Sequence, residues 1–252
     1  MGNVDISIAG HIATITFSNP PHNALPAEVL ASLAETITLA GADDSVHVVI
    51  LQSGGDSTFC AGASFDELMA VEDFDGGKHF FMGFANVINA CRKCPKFILG
   101  RVQGKAVGGG VGLAAASDYC FATNAASVKL SELALGIGPF VIGPAVQRKI
   151  GVSAFSQLAI NASTWYSAGW AFEYGLYANI SESVKEMDDQ IAALANTLAA
   201  QSLPAMRELK QIFWEDCADW DTLLAERAAA SGRLVLSDYT RQAIEKLRRR
   251  SR

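Results

Sequence analysis

The sequence predicts an α/β fold that gives way to helices toward its C-terminus. Three observations predict it. Two near-continuous apolar runs, Val46–Leu51 and Phe97–Val102, each lead into a glycine-containing loop and then a helix. Runs without polar alternation suit strands covered on both faces, as in parallel sheets. From Ser153 onward strand patterns nearly vanish and helical spacing takes over. The composition agrees: half of the 252 residues are hydrophobic and 18% are charged, which supports a large core and argues against disorder.

The elements follow in order. Val4, Ile6 and Ile8 alternate with Asp5 and Ser7; Gly10-His11 turns the chain; Ala13, Ile15 and Phe17 alternate with Thr14 and Thr16. This is a β-hairpin with one buried face. Asn19-Pro20-Pro21 stops it. Pro26 opens a helix whose Leu30, Leu33 and Ile37 share a face, and Gly41 ends it. After Val46–Leu51 come a turn-rich loop (Ser53–Ala63), a short helix, and a longer helix from about Gly76 to Cys94. Phe97–Val102 then runs into Gly108-Gly109-Gly110, a small-residue helix, a second strand, and Glu132 among apolar residues. Helices are expected over Ser167–Glu173, Ser183–Gln201, Pro204–Trp214, Asp221–Ser231 and Ser237–Arg249. No fixed-period repeat is visible. The expected division is an α/β core over 1–190 and a helical assembly region over 191–252.

Several function classes are excluded. A net charge of −6 gives no global field for nucleic acid or an anionic membrane. The N-terminus has no signal-peptide pattern, and Ile6 stands where a myristoylation motif needs Ser or Thr. The longest strongly apolar run, Ala106–Ala116, is too short to span a bilayer. A cytoplasmic location is expected. Five cysteines include one CxxC, Cys91 and Cys94, with no second pair or Cys/His cluster. Reduced thiols are expected, with Cys120 in a buried strand and no metal site. The string Gly110–Ala115 imitates a dinucleotide fingerprint, but Gly104-Lys105 separate it from its strand and no acid-tipped second strand follows. No Gly-Lys-Ser/Thr ends the loop as in a P-loop.

What remains is proton chemistry next to an anion. Glycines at the mouth of a helix expose backbone N–H groups, and that helix end favours developing negative charge. A lone carboxylate among apolar residues is a candidate acid/base, although Glu132 could also serve only as a helix-start residue after Ser131. Ala61-Gly62 supplies a second glycine turn. Asp118 reads as a structural acceptor, and Asp66 and Glu67 as solvent-facing. The four histidines are scattered, with His79 the one placed to approach a pocket from its helix. Phe65, Leu68, Phe140 and Val141 flank the loops and the acid.

These residues resemble the crotonase superfamily, the enoyl-CoA hydratases and isomerases, over nearly the whole length. NPPHNAL (Asn19–Leu25) is similar to its N-x-P-x-x-N-A-L turn, and TFCAGASFDEL (Thr58–Leu68) to its F-x-A-G-x-D loop, with Ser64 in place of Asp. KAVGGGVGLAAASDY resembles its glycine loop and helix, SELALGIGP its P-E-x-x-L-G segment, and SAGWAFEYGL (Ser167–Leu176) its S-A-x-x-A-x-x-x-G-L stretch. The resemblance implies a fold of repeated ββα units and acyl-CoA thioester substrates. It also implies homotrimers or dimers of trimers built through C-terminal helices. Coenzyme A would enter as part of the substrate, with no other cofactor.

By position, the resemblance makes the N–H groups of Ala61 and Gly109 the grip on the thioester oxygen and Glu132 the acid/base. Gly62, Ser64, Phe65, Gly108, Gly112 and Phe140 would bind substrate. Hydratases of the family typically use two glutamates, and Gly112 stands where the second is expected. Δ3,Δ2-enoyl-CoA isomerases work with one. Some bacterial 3-methylglutaconyl-CoA hydratases resemble this chain more closely, including around Gly138–Pro144. The leading expectation is a hydratase with an ordered water in the opening at Gly112; an isomerase and a non-catalytic acyl-CoA binder are the alternatives. The basic C-terminal run EKLRRRSR is either a solvated helix end or a contact for coenzyme A phosphates.

Overall fold

A strand of a large sheet, a short strand beside it and a helix recur along the chain. The computed structural model describes residues 2–250, and of 247–250 the backbone only. In order the elements are β1 (Asn3–Ala9), β2 (Ile12–Ser18), β3 (Ala24–Leu25), α1 (Ala27–Ala42), β4 (Val48–Ser53), β5 (Thr58–Cys60), β6 (Gly62–Ala63), α2 (Phe65–Met69), α3 (Phe74–Lys93), β7 (Phe97–Val102), β8 (Lys105–Val107) and α4 (Gly109–Ala116). There follow β9 (Tyr119–Thr123), β10 (Ser127–Lys129), α5 (Gly143–Ile160), β11 (Tyr166–Ser167), α6 (Ala168–Glu173), β12 (Asn179–Ser181), α7 (Val184–Ala199), α8 (Leu203–Phe213), α9 (Trp220–Leu234) and α10 (Asp238–Arg250).

The large sheet has the order β1-β2-β4-β7-β9-β12, antiparallel at β1–β2 and parallel elsewhere. A small sheet, β11-β10-β8-β5, and the pair β3-β6 carry the loops that matter for function. Helices α1, α3 and α4 bury Leu33, Ile88 and Leu113 in the main core with Ile15, Leu51 and Ile98 of the large sheet. Across the sheet α7 covers Val48, Leu99 and Phe121 with Ala195, Met187 and Ile191. This double cover is why β4 and β7 read as continuous apolar runs.

The expected buried face of the hairpin holds for one strand. Ala13, Ile15 and Phe17 of β2 are fully buried, whereas their partners Ile8 and Ile6 on β1 are 48% and 44% exposed. β1 is the sheet edge, and Ile6 and Ile8 are left uncovered among the described residues. Residue 190, the expected limit of the core, lies in the middle of α7, and Trp220, Leu224 and Ala228 of α9 belong to the main core. Helix α9 therefore shares the core of the α/β layers, while Ile244 of α10 packs in a satellite cluster.

Asp118 acts as the structural acceptor the sequence suggested. Its carboxylate accepts from Ile98 N–H (2.8 Å) and Trp214 Nε1–H (3.1 Å) and pairs with Lys210 Nζ at 2.8 Å. Lys210 also donates to the Lys96 carbonyl. Both side chains are almost fully buried, so the pair fastens α8 to the start of β7. Removing one partner strands a buried charge, at a cost of about 3–5 kcal/mol. Lys210→Met is therefore expected to lower the unfolding free energy by roughly that amount, measured by urea denaturation.

Candidate active site

The triple glycine is required by close approach. Gly108 sits between β8 and α4 at φ 53°, a conformation costly for any residue with a Cβ. A Cβ there would lie 2.8 Å from Glu132 Oε1; one at Gly109 would enter the Phe84 ring, and one at Gly110 would meet the Cys60 carbonyl. Gly109 and Gly110 open α4, so no helical carbonyl can accept from their N–H groups. The helix end adds a partial positive charge there.

The second loop abuts the first. Gly62 has φ 93°, and a Cβ on it would stand 3.3 Å from Val107 O and 3.8 Å from Gly109 N. Asn23, at φ 54°, holds this region by donating from Nδ2 to the carbonyls of Gly54, Thr58 and Phe59. The expectation that Ala61 grips the substrate oxygen is corrected here. Ala61 N–H already donates to the carbonyls of His22 and Asn23, both at 3.2 Å. Ser64 N–H donates to Leu25 at 2.9 Å. N–H direction alternates along a strand, so the N–H of Ala63, paired in register with Leu25, turns away from β3. Ala63 lines the cavity beside Gly109. On this geometry the N–H groups of Ala63 and Gly109 can act together as donors to a bound oxygen.

Glu132 follows β10 at the start of a short 3-10 turn, Leu133–Leu135. Gly108 N–H donates to Lys129 O at 2.9 Å and so ties the acid's strand to the glycine loop. Glu132 Oε2 is buried without a hydrogen-bond partner. Burial pushes its pKa up to about 7, partly opposed by a hydrogen bond from its own backbone. A carboxyl poised there can give or take a proton near neutrality.

Glu132, Ala61, Gly62, Ser64, Phe65, Gly108, Gly109 and Phe140 line one cavity of about 730 Å³. Gly112 does not line it, which corrects two expectations. A Cβ at Gly112 would lie 2.5 Å from Ile142 Cγ2 and 2.8 Å from Ile142 Cβ. The opening expected to hold water is filled by an isoleucine. Ile142 lies ten residues beyond Glu132, and nothing in the sequence pattern signals that contact. Ser64 caps α2 by accepting from Glu67 N–H, and Glu67, rather than facing solvent, accepts from Ala27 N–H at 2.9 Å. Asp66 lines the cavity but is exposed. Of the histidines, His22 rather than His79 lies on the cavity wall. The four arginines of the C-terminal run, at 248, 249, 250 and 252, have side chains outside the described residues. Cys60, Cys91 and Cys120 are buried thiols with pKa values pushed up to about 12 by desolvation. Among the described residues no cluster of His, Cys, Asp and Glu could hold a metal ion. No helix among them is long and apolar enough to cross a membrane.

Two abutting glycine loops and a buried carboxylate with no partner at Oε2 make a site suited to one class of chemistry, stabilising an oxyanion while moving a proton beside it. The chain belongs to the enoyl-CoA hydratase/isomerase family, whose model matches residues 7–246. It is 27% identical over 247 residues to a short-chain-enoyl-CoA hydratase of Clostridium acetobutylicum, covering 97% of this chain and 94% of that one. It is 28% identical over 207 residues to a (7aS)-7a-methyl-1,5-dioxo-2,3,5,6,7,7a-hexahydro-1H-indene-carboxyl-CoA hydrolase of Mycobacterium tuberculosis, covering 79% of each. The crystal structure of an enoyl-CoA hydratase from Bacillus halodurans superposes with a TM-score of 0.90 at 21% identity, covering 96% of this chain and 99% of that one, and shows the same fold.

Two outcomes follow from this geometry. Gly112→Glu forces Ile142 aside and is expected to cost about 1–3 kcal/mol of stability without raising hydration; adding Ile142→Ala should restore much of that stability, read by chemical denaturation. The acid titrates near 7 when folded and near 4.5 ordinarily. The folded state thus binds its proton more tightly, and stability falls as pH rises from about 4.5 to 7. Glu132→Gln should lack that fall and be the more stable protein at pH 8.

Proposed function

We infer that the chain is an enoyl-CoA hydratase-type enzyme in which one carboxylate carries the proton both ways. The observation that carries this reading is Glu132: buried, partnerless at Oε2, and against Gly108 of the glycine loop. The thioester oxygen sits between the N–H groups of Ala63 and Gly109. Glu132 takes a proton from water as the water oxygen bonds to C3. The double-bond electrons move through C2 to the thioester oxygen, giving an enolate held by the two donors. The enolate collapses and C2 takes the proton back from Glu132, leaving the site as it began. Preorganised donors of this kind are each worth on the order of 3 kcal/mol in the transition state. The hydratase direction rests on the name of the Clostridium relative.

A second reading is favoured by Ile142 over Gly112. With that place filled by hydrocarbon, Glu132 could instead move a proton from C2 to C4 of a 3-enoyl thioester without adding water. The trimeric assembly implied by the resemblance is also a proposal. It is supported by a groove lined by Leu133, Ile160, Ile212 and Phe213, all 45–73% exposed, and sedimentation velocity tests it.

Incubation with crotonyl-CoA, 3-hexenoyl-CoA and 3-methylglutaconyl-CoA in oxygen-18 water, read by mass spectrometry, separates the two chemistries. Incorporation of labelled water is expected, with Glu132→Gln losing about 100- to 10,000-fold in kcat. Double-bond migration without label would make the isomerase reading correct. In the direction where Glu132 acts as base, kcat/KM is expected to rise about tenfold per pH unit below a midpoint near 7.

A further inference from the structure

One polar group on the cavity wall is left unused by this chemistry. Ser231, on α9, lines the cavity, is 1% exposed, and its Oγ has no hydrogen-bond partner. A serine or threonine inside a helix ordinarily satisfies its hydroxyl on the carbonyl four residues back. Thr36, Thr38, Ser117 and Thr197 of this chain all do so. Ser231 does not. A buried hydroxyl without a partner is destabilising, and Leu68, Phe80, Phe81 and Ile137 line the same cavity with hydrocarbon.

Its position is fixed by helix packing. α9 lies along α3 with Gly232 against Gly77, where a Cβ on Gly77 would come within 3.0 Å of Gly232 Cα. Backbone contact that close leaves α9 no room to rotate Ser231 away. Phe84, the α3 residue that meets Gly109, is seven residues from Gly77, which is about 10 Å along a helix. Ser231, next to Gly232, is therefore a cavity-lining residue packed near the Gly77 end of this stretch of α3, with Phe84 and Gly109 at the other end; we place the tail of an acyl chain at the Ser231 end.

We propose that Ser231 is a specificity-determining residue that hydrogen-bonds an uncharged oxygen, a hydroxyl or a ketone, carried toward the end of the substrate's acyl chain. The proposal rests on the acyl-CoA reading of the cavity. Among the described residues no lysine or arginine lines it, so an ionised chain-end carboxylate would be buried without a cation. A site built to bond a substrate oxygen discriminates against the analogue lacking it, because its own polar group is then left unpaired.

The test measures binding of unreactive saturated thioesters by calorimetry, so it does not depend on which reaction the enzyme performs. The probes are octanoyl-CoA, its analogues hydroxylated at each of the last three carbons, the matching ketones, and the chain-end carboxylate. The wild-type protein is expected to bind at least one hydroxyl or ketone analogue about 5- to 10-fold more tightly than octanoyl-CoA, and the carboxylate more weakly than that analogue. In Ser231→Ala the preference should fall to within about twofold, with octanoyl-CoA affinity kept or improved. Ser231→Cys, which keeps the size and weakens the hydrogen bond, should match Ser231→Ala. The unfolding midpoint of Ser231→Ala should stay level or rise.

Equal binding of all thioesters by the wild type, a preference that survives in Ser231→Ala, or tightest binding of the carboxylate overturns the proposal while the acyl-CoA reading stands. A lowered unfolding midpoint in Ser231→Ala also overturns it, since the hydroxyl would then have a partner in the protein. Absence of binding by every probe overturns the acyl-CoA reading and the proposal with it.

Discussion

The molecule turns on the place where three chain segments close on Gly108-Gly109-Gly110. Glu132, the Phe84 ring and the Cys60 carbonyl each occupy space that a Cβ would need. That contact brings a helix start, a proton carrier and a second loop within reach of one another. The parallel sheet delivers them there: β5, β8 and β10 lie side by side, and each ends near the cavity. Close approach of backbones is available only to glycine, so the geometry of the site is paid for in backbone entropy and recovered in packing.

The chemistry follows from what the same packing excludes. Glu132 is buried against the glycine loop, and desolvation is the largest cause of its raised pKa, opposed by a hydrogen bond from its own backbone. A carboxyl in such a place sits near the point of balance between its two forms. The donors on the other side are backbone N–H groups fixed by a helix and a strand, so they need little reorganisation as charge develops on a bound oxygen. Ile142 over Gly112 removes the position from which a second carboxylate could reach in. In the proposed reaction Glu132 is the carboxylate that must both take and give the proton.

The C-terminal helices are part of this arrangement. α9 lies along α3, and Phe80, Phe81 and Phe84 of α3 face the cavity. Leu68 and Phe80 also pack with Val235 and Ile244 in a satellite core. The helix that carries Ser231 therefore packs near the same side chains that line the cavity, so changes in the packing of α9 alter the cavity directly.

Much of this was legible in the sequence. Apolar runs marked β4 and β7, heptad-like spacing marked α1, and the helices from Ala168 onward fell where their patterns placed them, because local periodicity and caps such as Ser167 and Ser183 decide such elements. Glycine loops and a lone glutamate marked the site, since both violate the pattern around them. Helix α5 was not foreseen: its buried Ala145, Val146, Ala154 and Leu158 are interrupted by the kink at Gly151. The choice of Ala63 over Ala61 depends on which N–H groups β3 has already taken, and the fate of Gly112 depends on where Ile142 lands. Those facts, like the unpartnered hydroxyl of Ser231, belong to pairs of residues brought together from separate segments. The sequence by itself determined which elements form and which residues break their pattern. Only the tertiary structure decided which donors stay free, because a hydrogen bond or a filled space is a property of two groups and not of one.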